Sequence, residues 1–232
     1  MIENREAFLT EIARRLGRDS VKMTPPKRSE VNHLQWERLA DLSACELAKV
    51  FMEHGKKYMF AESTLVRKST LVPTLKKVLA QLEADKVQLS DDDRLYELGV
   101  TPASLADFDV RYWDGKQLDE SIFFAQIAKV GVVWAEYGTA ESGSVILFSS
   151  EAQGGSLSLL PESTVFVIPK SRLLPRPAQL CTILNDRLKR GERLPSAINI
   201  VGGPSSTADI ELVKVIGVHG PVKVRYLIVE DL

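Results

Sequence analysis

Apolar side chains recur at helical spacing near the start of the chain. The stretch 3–16 carries them on one face, and Gly17 follows as a stop signal. The apolar positions on this face are Phe8, Ile12 and Leu16. The polar stretch that follows contains Pro25 next to a second proline, which favours an extended linker. We therefore predict an N-terminal helix and linker over residues 1–32, followed by an α/β domain over residues 33–232.

The pattern of apolar and polar positions predicts the elements of that domain. The predicted helices are 34–54, which Gly55 would end, 71–84, 121–128, 177–189 and 207–216. The predicted strands are 58–61, 130–135, 144–148, 164–168, 197–201 and 222–229. Residues 90–115 mix acids with turn residues and are left unassigned.

The order of these elements indicates the fold class. Short β-branched runs alternate with helices over the C-terminal part of the chain, which is typical of an α/β sheet with both faces covered. We expect three layers around a mixed, mostly parallel sheet. The adjacent runs between residues 130 and 148 indicate an antiparallel insertion or a mixed sheet.

Composition and charge exclude some function classes. The 232 residues are 44% apolar and include 30 basic and 31 acidic side chains, so no net field draws the chain to nucleic acid. The basic run 187–193 lies at a helix C-terminus, where cations interact favourably with the negative end of the helix dipole. This favours a solvated helix end over a nucleic-acid patch. No apolar run approaches the roughly 20 residues that span a bilayer. The acidic start lacks a signal-peptide pattern, and we expect a cytoplasmic protein.

The cysteine count limits the redox chemistry of the chain. Cys45 and Cys181 are far apart, and neither has a second thiol or a histidine at ligand spacing. An iron–sulfur cluster or a structural zinc ion needs about four ligands grouped in short motifs. We therefore expect no metal or cofactor on this chain, and we expect both thiols to be buried apolar fillers.

A glycine- and hydroxyl-rich turn near the C-terminus is the first candidate site. Gly203 follows a predicted strand, and the hydroxyl residues after it precede the predicted helix 207–216, whose first turn would hold Asp209 and Glu211. The hydroxyl residues are Ser205, Ser206 and Thr207. These groups either cap that helix, Ser206 with Asp209 as a capping box, or use its free N–H groups to hold a carboxylate or phosphate.

His219 is the histidine in a context that a reaction could use. It lies in a tight turn beside Gly220, close to the predicted last strand. The alternative is a histidine that hydrogen-bonds the loop backbone and holds the turn in place. Gly220 is a candidate anion-binding residue, together with the glycine- and hydroxyl-rich turn described above.

A second candidate site lies on the turn ahead of the strand 144–148. Glu141 would supply a carboxylate for catalysis, and three neighbours would bind the substrate. These neighbours are Ser142, Gly143 and Ser144. If the flanking strands pair, Glu136 and Glu141 would converge on one pocket rim. The alternative is a set of solvated acids on a surface turn.

Several stretches resemble one protein family. They are AESGSVILFSS and SLSLLP between residues 140 and 161, and GGPSSTADIELVKVIGVHGP over residues 202–221. In these stretches the chain is similar to the lactate utilization protein C (LutC/YkgG) family, whose members carry a LUD domain. The N-terminal segments RRLGR and WERL are similar to that family as well, so the resemblance covers nearly the whole chain.

The resemblance implies a fold and a role. The fold would be of the NagB/RpiA/CoA transferase-like kind. The role would be that of a subunit in L-lactate oxidation to pyruvate for growth on lactate, with iron–sulfur clusters in partner subunits. A small carboxylate or phosphate ligand and a homodimer are further expectations. The alternatives are a free-standing enzyme of the sugar-phosphate isomerase or acyl-CoA-transfer kind and a regulatory ligand sensor.

One departure from the family pattern concerns anion binding. Related proteins often have an arginine where this chain has Gly155. If that arginine meets an anion in them, this chain binds the anion differently or does not bind it. Arg172 is the substitute that we consider.

Overall fold

The structure is a computed structural model that describes residues 4–22, 24, 31–208 and 214–230. The chain forms two compact units, residues 1–33 and residues 34–232. The first carries helix α1 (Arg5–Arg15), which confirms the predicted amphipathic helix. Part of the predicted linker, including Pro25, lies outside the described residues. The predicted division into a helix with its linker (1–32) and an α/β domain (33–232) stays a prediction.

The second unit alternates helices and strands. Its helices are α2 (Leu34–Glu37), α3 (Ala44–Met59), α4 (Leu71–Gln81), α5 (Asp93–Glu97), α6 (Leu118–Ile127), α7 (Ser156–Leu159) and α8 (Pro177–Lys189). Its strands are β1 (Glu62–Val66), β2 (Lys86–Leu89), β3 (Asp109–Tyr112), β4 (Val130–Trp134), β5 (Tyr137–Thr139), β6 (Ser144–Phe148), β7 (Ser163–Pro169), β8 (Leu173–Leu174), β9 (Ile198–Val201), β10 (Ser206–Ala208), β11 (Lys214–Ile216) and β12 (Lys223–Val229).

A six-stranded sheet forms the centre of this unit. Its strand order is β1-β12-β7-β4-β2-β3, and every neighbouring pair is parallel. A second sheet has the order β8-β5-β6-β9 and contains the antiparallel pair β5 and β6. The α/β class with a mostly parallel sheet is therefore confirmed. The antiparallel insertion is β5 with β6, since β4 belongs to the parallel sheet.

Alternate residues of the central strands bury opposite faces of the sheet. Val165 and Val167 of β7 pack in one apolar cluster with α4 and α5. Phe166 and Ile168 pack in another with α3, α7 and the second sheet. Parallel strands covered on both faces are apolar along their whole length, and the burial of all seven residues of β7 agrees with this rule. The result is a three-layer arrangement.

The outer strands of the central sheet are β1 and β3. Both are short, with five and four residues. Exposed charged side chains lie on them, namely Glu62 on β1 and Asp109 and Arg111 on β3. The inner strands carry the apolar core.

The predicted helix 34–54 is wrong in its extent. The chain leaves the helix after α2, and α3 begins after Ser43 with a capping box. Ser43 Oγ accepts a hydrogen bond from the Glu46 N–H at 3.3 Å, and the Glu46 carboxylate accepts from the Ser43 N–H at 2.8 Å. This reciprocal pair ties down two backbone donors at the helix start. The helix then continues through Gly55 to Met59.

Gly55 serves close packing and does not stop α3. A Cβ added to Gly143, in the turn between β5 and β6, would lie 2.4 Å from the Gly55 nitrogen. The turn therefore lies directly on the helix backbone, which requires a glycine at position 143. The predicted strand 58–61 is wrong because α3 extends to Met59, and the strand that follows is β1.

The predicted helix 207–216 is also wrong. β10 pairs with β11 in an antiparallel hairpin, with Ser206 opposite Ile216 and Thr207 opposite Val215. Thr207 and Val215 are β-branched and favour extended backbone, so they suit the strands in which they lie. Asp209 and Glu211, expected in the first helical turn, lie outside the described residues.

The stretch left unassigned, 90–115, contains two short elements. Asp92 caps α5 by accepting a hydrogen bond from the Arg94 N–H at 3.0 Å. Strand β3 follows and forms the sheet edge. Along the described part of the chain, no helix has the length and apolar character needed to cross a membrane.

Candidate functional site

The structure brings several predicted residues together around one cavity. Two cavities lie at opposite ends of the sheet, with volumes of about 290 Å³ and about 380 Å³. The predicted residues line the larger one. The larger is called here the amino-edge cavity, because β7 and β12 begin beside it. The predicted residues that line it are Gly203, Ser205, Ser206, His219 and Gly220.

Backbone groups of the amino-edge cavity already have partners. The Gly203 N–H donates to the Tyr226 hydroxyl at 3.2 Å, and the Ser205 N–H donates to the Pro221 carbonyl at 2.8 Å. Burial raises the pKa of Tyr226, so the phenol stays protonated. The amides of Gly203 and Ser205 are therefore not available to an anion. The mechanism based on a helix N-terminus is wrong, since β10 is a strand.

The side chains of this cavity remain candidates for ligand binding. Ser206 and His219 are exposed, and Ser205 is half-buried. Within the described residues, the His219 ring makes no hydrogen bond, so the alternative of a histidine that holds its own turn gains no support. Thr207 is exposed on β10 and does not line the cavity. Anion binding by these residues stays a prediction.

Glu141 lies in a different place and binds two arginines. Its Oε1 pairs with Arg38 at 3.1 Å and its Oε2 with Arg176, while its carbonyl oxygen lies 2.7 Å from His54 Nδ1. The carboxylate thus links the turn after β5 to the residues after α2 and to the start of α8. Glu141 lines neither of the two cavities.

The neighbours of Glu141 have packing roles in the structure. Ser142 Oγ lies 2.7 Å from Thr139 Oγ1, and Ser144 is buried at the start of β6. Gly143 has a φ of 64°, a conformation that favours glycine. Substrate binding by Ser142, Gly143 and Ser144 stays a prediction. None of the three lines the amino-edge cavity, but a Cβ added to Gly202 of that cavity would lie 3.2 Å from Ser144 Oγ.

A second cavity lies where the parallel strands end. This carboxyl-edge cavity has a volume of about 290 Å³. Trp134 and Pro169 are the last residues of β4 and β7, and Lys68 follows β1. The lining residues are Lys68, Arg94, Glu97, Leu98, Trp134, Pro169, Ser171 and Arg172. Open α/β sheets bind ligands outside the carboxyl ends of their strands, so this position favours a binding site.

Paired charges build one wall of the carboxyl-edge cavity. Glu136 Oε2 accepts from Arg94 Nη1 at 2.6 Å, and Glu136 Oε1 accepts from Arg172 Nη1 at 2.7 Å. Arg94 also donates from Nε and Nη2 to both carboxylate oxygens of Asp92, each at 2.8 Å. Burial by itself would lower the pKa of Arg94. The hydrogen bonds to Asp92 and Glu136 outweigh burial, so the pKa of Arg94 is above its ordinary value. Arg94 is therefore always charged.

Trp134 is fixed at the floor of this wall. The Gln153 side chain accepts from the backbone N–H of Trp134 at 2.9 Å and donates to the backbone carbonyl of Trp134 at 3.0 Å. The Arg94 guanidinium lies 4.7 Å from the indole ring centre, a cation–π distance. The hydrogen bonds hold the backbone of Trp134, and the cation–π contact places the indole ring against Arg94.

The two carboxylates expected to share a rim do not meet. The flanking strands do pair, yet Glu136 binds Arg94 and Arg172 whereas Glu141 binds Arg38 and Arg176. Sequence reasoning missed Lys68 and Arg94 as lining residues. Each follows a strand of the parallel sheet within a few residues, but that signal requires β1 and β2, and neither strand was predicted at its place.

The exposure of the two thiols differs from the expectation. Cys45 and Cys181 are exposed, so the prediction of buried fillers is wrong. Each lies on the outer face of a helix, α3 or α8. Among the described residues, no group of three or more His, Cys, Asp or Glu side chains is arranged to hold a metal ion.

Comparison with known proteins agrees with the α/β class of the second unit. The LUD domain family model matches residues 63–229. The chain is 42% identical to the Uncharacterized protein YkgG of Escherichia coli (strain K12), covering 99% of this chain and 100% of that protein. It is 35% identical to Lactate utilization protein C of Bacillus subtilis (strain 168), covering 99% and 98% respectively. The chain therefore belongs to the LUD domain family.

A solved structure shares the fold. The crystal structure of a DUF162 family protein from Deinococcus radiodurans matches with a TM-score of 0.58 at 21% sequence identity. The match covers 81% of this chain and 99% of that chain. At this level of identity the likeness supports the fold alone.

Proposed function

We propose that this protein takes part in lactate utilization as a cluster-free subunit that works with iron–sulfur partner proteins. Its full-length similarity to proteins named lactate utilization protein C, at 35 to 37% identity in Bacillus and Halalkalibacterium, supports the pathway. A cytoplasmic location and a homodimer remain predictions within this proposal.

The cysteine count supports the assignment of the iron–sulfur clusters to partner proteins. Oxidation of L-lactate to pyruvate releases two electrons and two protons, and these electrons need an acceptor. The 232 residues contain two cysteines, at positions 45 and 181 on separate helices, whereas a cluster takes about four thiolates in close motifs. The proposal therefore assigns the clusters to partner proteins and ligand recognition or scaffolding to this chain.

Affinity purification from the native host tests the proposal. The tagged full-length protein should co-purify with a cysteine-rich iron–sulfur protein, identified by its visible absorbance and by mass spectrometry. The assembled complex should oxidise L-lactate with a dye as acceptor, whereas this protein alone should not. Turnover of L-lactate by the isolated chain, or the absence of any iron–sulfur protein from the complex, would count against the proposal.

The alternative of a free-standing isomerase or acyl-CoA transferase gains no support at Glu141. A nucleophile or general base needs an accessible carboxylate, but Arg38 and Arg176 pair with its two oxygens. Activity of the purified protein on sugar phosphates or acyl-CoA, abolished by Glu141→Gln, is the result that would favour this alternative.

A further inference from the structure

We propose that the carboxyl-edge cavity binds a small organic monocarboxylate and that Arg172 holds its carboxylate group. The cavity lies at the ends of β4 and β7 and beside α5, in the middle of the sheet. The position is the one at which parallel α/β sheets accept ligands. The residues expected to bind an anion from their sequence motifs lie elsewhere.

Arg172 presents an unused edge of its guanidinium group. Its Nη1 donates to Glu136 at 2.7 Å and to the Tyr137 hydroxyl at 3.4 Å. Within the part of the chain that the structure describes, Nε and Nη2 of Arg172 make no hydrogen bond. These two nitrogens form the fork that matches the two oxygens of a carboxylate.

Glu136 and Arg94 act as positioning residues for Arg172. The Glu136 side chain is 12% exposed and accepts from both arginines, so it orients the Arg172 guanidinium before any ligand arrives. Arg94 is itself fixed by Asp92. A fork that is already oriented loses little conformational entropy on binding, which raises affinity.

The remaining lining residues select an organic anion. The basic side chains that line the cavity are Lys68, Arg94 and Arg172. Because Asp92 and Glu136 offset the charge of Arg94, the cavity holds an anion through the donors of Arg172 that Glu136 does not use. An apolar wall completes the cavity. It consists of Leu98, Trp134 and Pro169. Such a wall accepts the carbon skeleton of a carboxylic acid, whereas inorganic phosphate has no apolar part.

This inference depends on the proposed function only for the choice of L-lactate and pyruvate as probes. Isothermal titration calorimetry on the isolated full-length protein measures their binding, with L-lactamide as the neutral analogue and inorganic phosphate as the inorganic anion. We expect saturable binding of L-lactate or pyruvate and none of L-lactamide. No saturable binding of either acid, or binding of phosphate at least as tight, would overturn the proposal.

Substitution of Arg172 locates the site. Arg172→Gln should weaken binding by at least about tenfold, because a charge-assisted bidentate contact is lost, and Arg172→Lys should restore only part of the affinity. Arg187→Gln is the matched control. Arg172 and Arg187 each pair with a glutamate and lie over an aromatic ring, but Arg187 does not line the cavity. Affinity of Arg172→Gln within about twofold of the unmodified protein contradicts the proposal.

A second variant tests the cavity without changing the arginine network. Ser171 is exposed in the cavity lining, so Ser171→Phe should occupy the space of the ligand and abolish binding while the melting temperature stays unchanged. Unchanged affinity in this variant would place the ligand elsewhere. If the protein binds a carboxylate but no iron–sulfur protein co-purifies with it from the native host, only the proposed function is overturned. If an iron–sulfur protein co-purifies but no carboxylate binds, only this inference is overturned.

Discussion

The two cavities at opposite ends of the central sheet are built in different ways. The amino-edge cavity is made by a glycine-rich loop whose buried amides are already hydrogen-bonded, with serine hydroxyls and His219 at its surface. The carboxyl-edge cavity is made by charged side chains that come from four separate segments and fix one another. A recognisable sequence motif therefore marks close backbone packing, while the charged site has no local motif.

The largest effect that would test this contrast is expected at Gly203. Its φ is 77°, and an added Cβ would lie 1.9 Å from the Met59 carbonyl oxygen. Gly203→Ala should therefore lower the free energy of unfolding by about 3 kcal/mol, from the left-handed backbone and the clash together. Urea unfolding measures it. The control is Gly155→Ala, where an added Cβ meets nothing within 4 Å. Equal stability of both variants would show that the loop does not pack on α3 as described.

An intermediate effect is expected at Glu136. Glu136→Gln removes the negative charge that pairs with both arginines, so the free energy of unfolding should fall by about 1–2 kcal/mol. This is less than the loss expected for a fully buried ion pair, because both arginines are partly exposed to solvent. The same variant should weaken carboxylate binding, because Arg172 loses its orientation. Glu162→Gln is the control, since its pair with Lys129 lies at the surface. A loss of stability without any loss of carboxylate affinity would separate Glu136 from the binding site.

The smallest effect is expected at Asp91, which follows β2. Burial, together with the charges of Asp93, Asp114 and Asp92, raises the pKa of Asp91 above its ordinary value of 3.8. The native state thus binds this proton more tightly than the unfolded state, and the stability it contributes is present below pH 3.8 and lost as pH rises through the raised pKa. Asp91→Asn should therefore raise Tm at neutral pH by about 1 °C, because the group is largely exposed.

Thermal melts at two pH values check this prediction. The gain should disappear below pH 3.8, where Asp91 is protonated in both states. A gain of the same size at acid and neutral pH would mean that the substitution acts through packing or helix capping instead of charge.

Elements with one dominant local signal could be predicted from the sequence. Strand β6 and helix α8 have the predicted bounds, because an apolar run and an N-terminal proline define them. The hairpin of β10 and β11 could not be distinguished from a capped helix, since serine and threonine suit both. The helix break at Ser43 was missed although Ser43 and Glu46 have capping-box spacing.

The candidate site depends on topology more than on motif. Glu136 lies 42 residues from Arg94 and 36 from Arg172, and no local pattern links such positions. Their meeting follows from the strand order, which places β4 between β7 and β2. The sequence indicated Glu136 and Arg172 as residues of interest, but their partnership required the order of the strands.

The outermost strands of the parallel sheet have a consequence for handling the protein. A sheet margin with unpaired backbone groups can recruit a strand from another molecule and start aggregation. Strand β3 is four residues long and carries Asp109 and Arg111, while β1 carries Glu62 paired with Arg225. Bringing such a charged, short margin against another strand would cost desolvation of these groups. The folded protein is therefore built to resist strand-by-strand aggregation at both margins, even at the high concentrations that calorimetry requires.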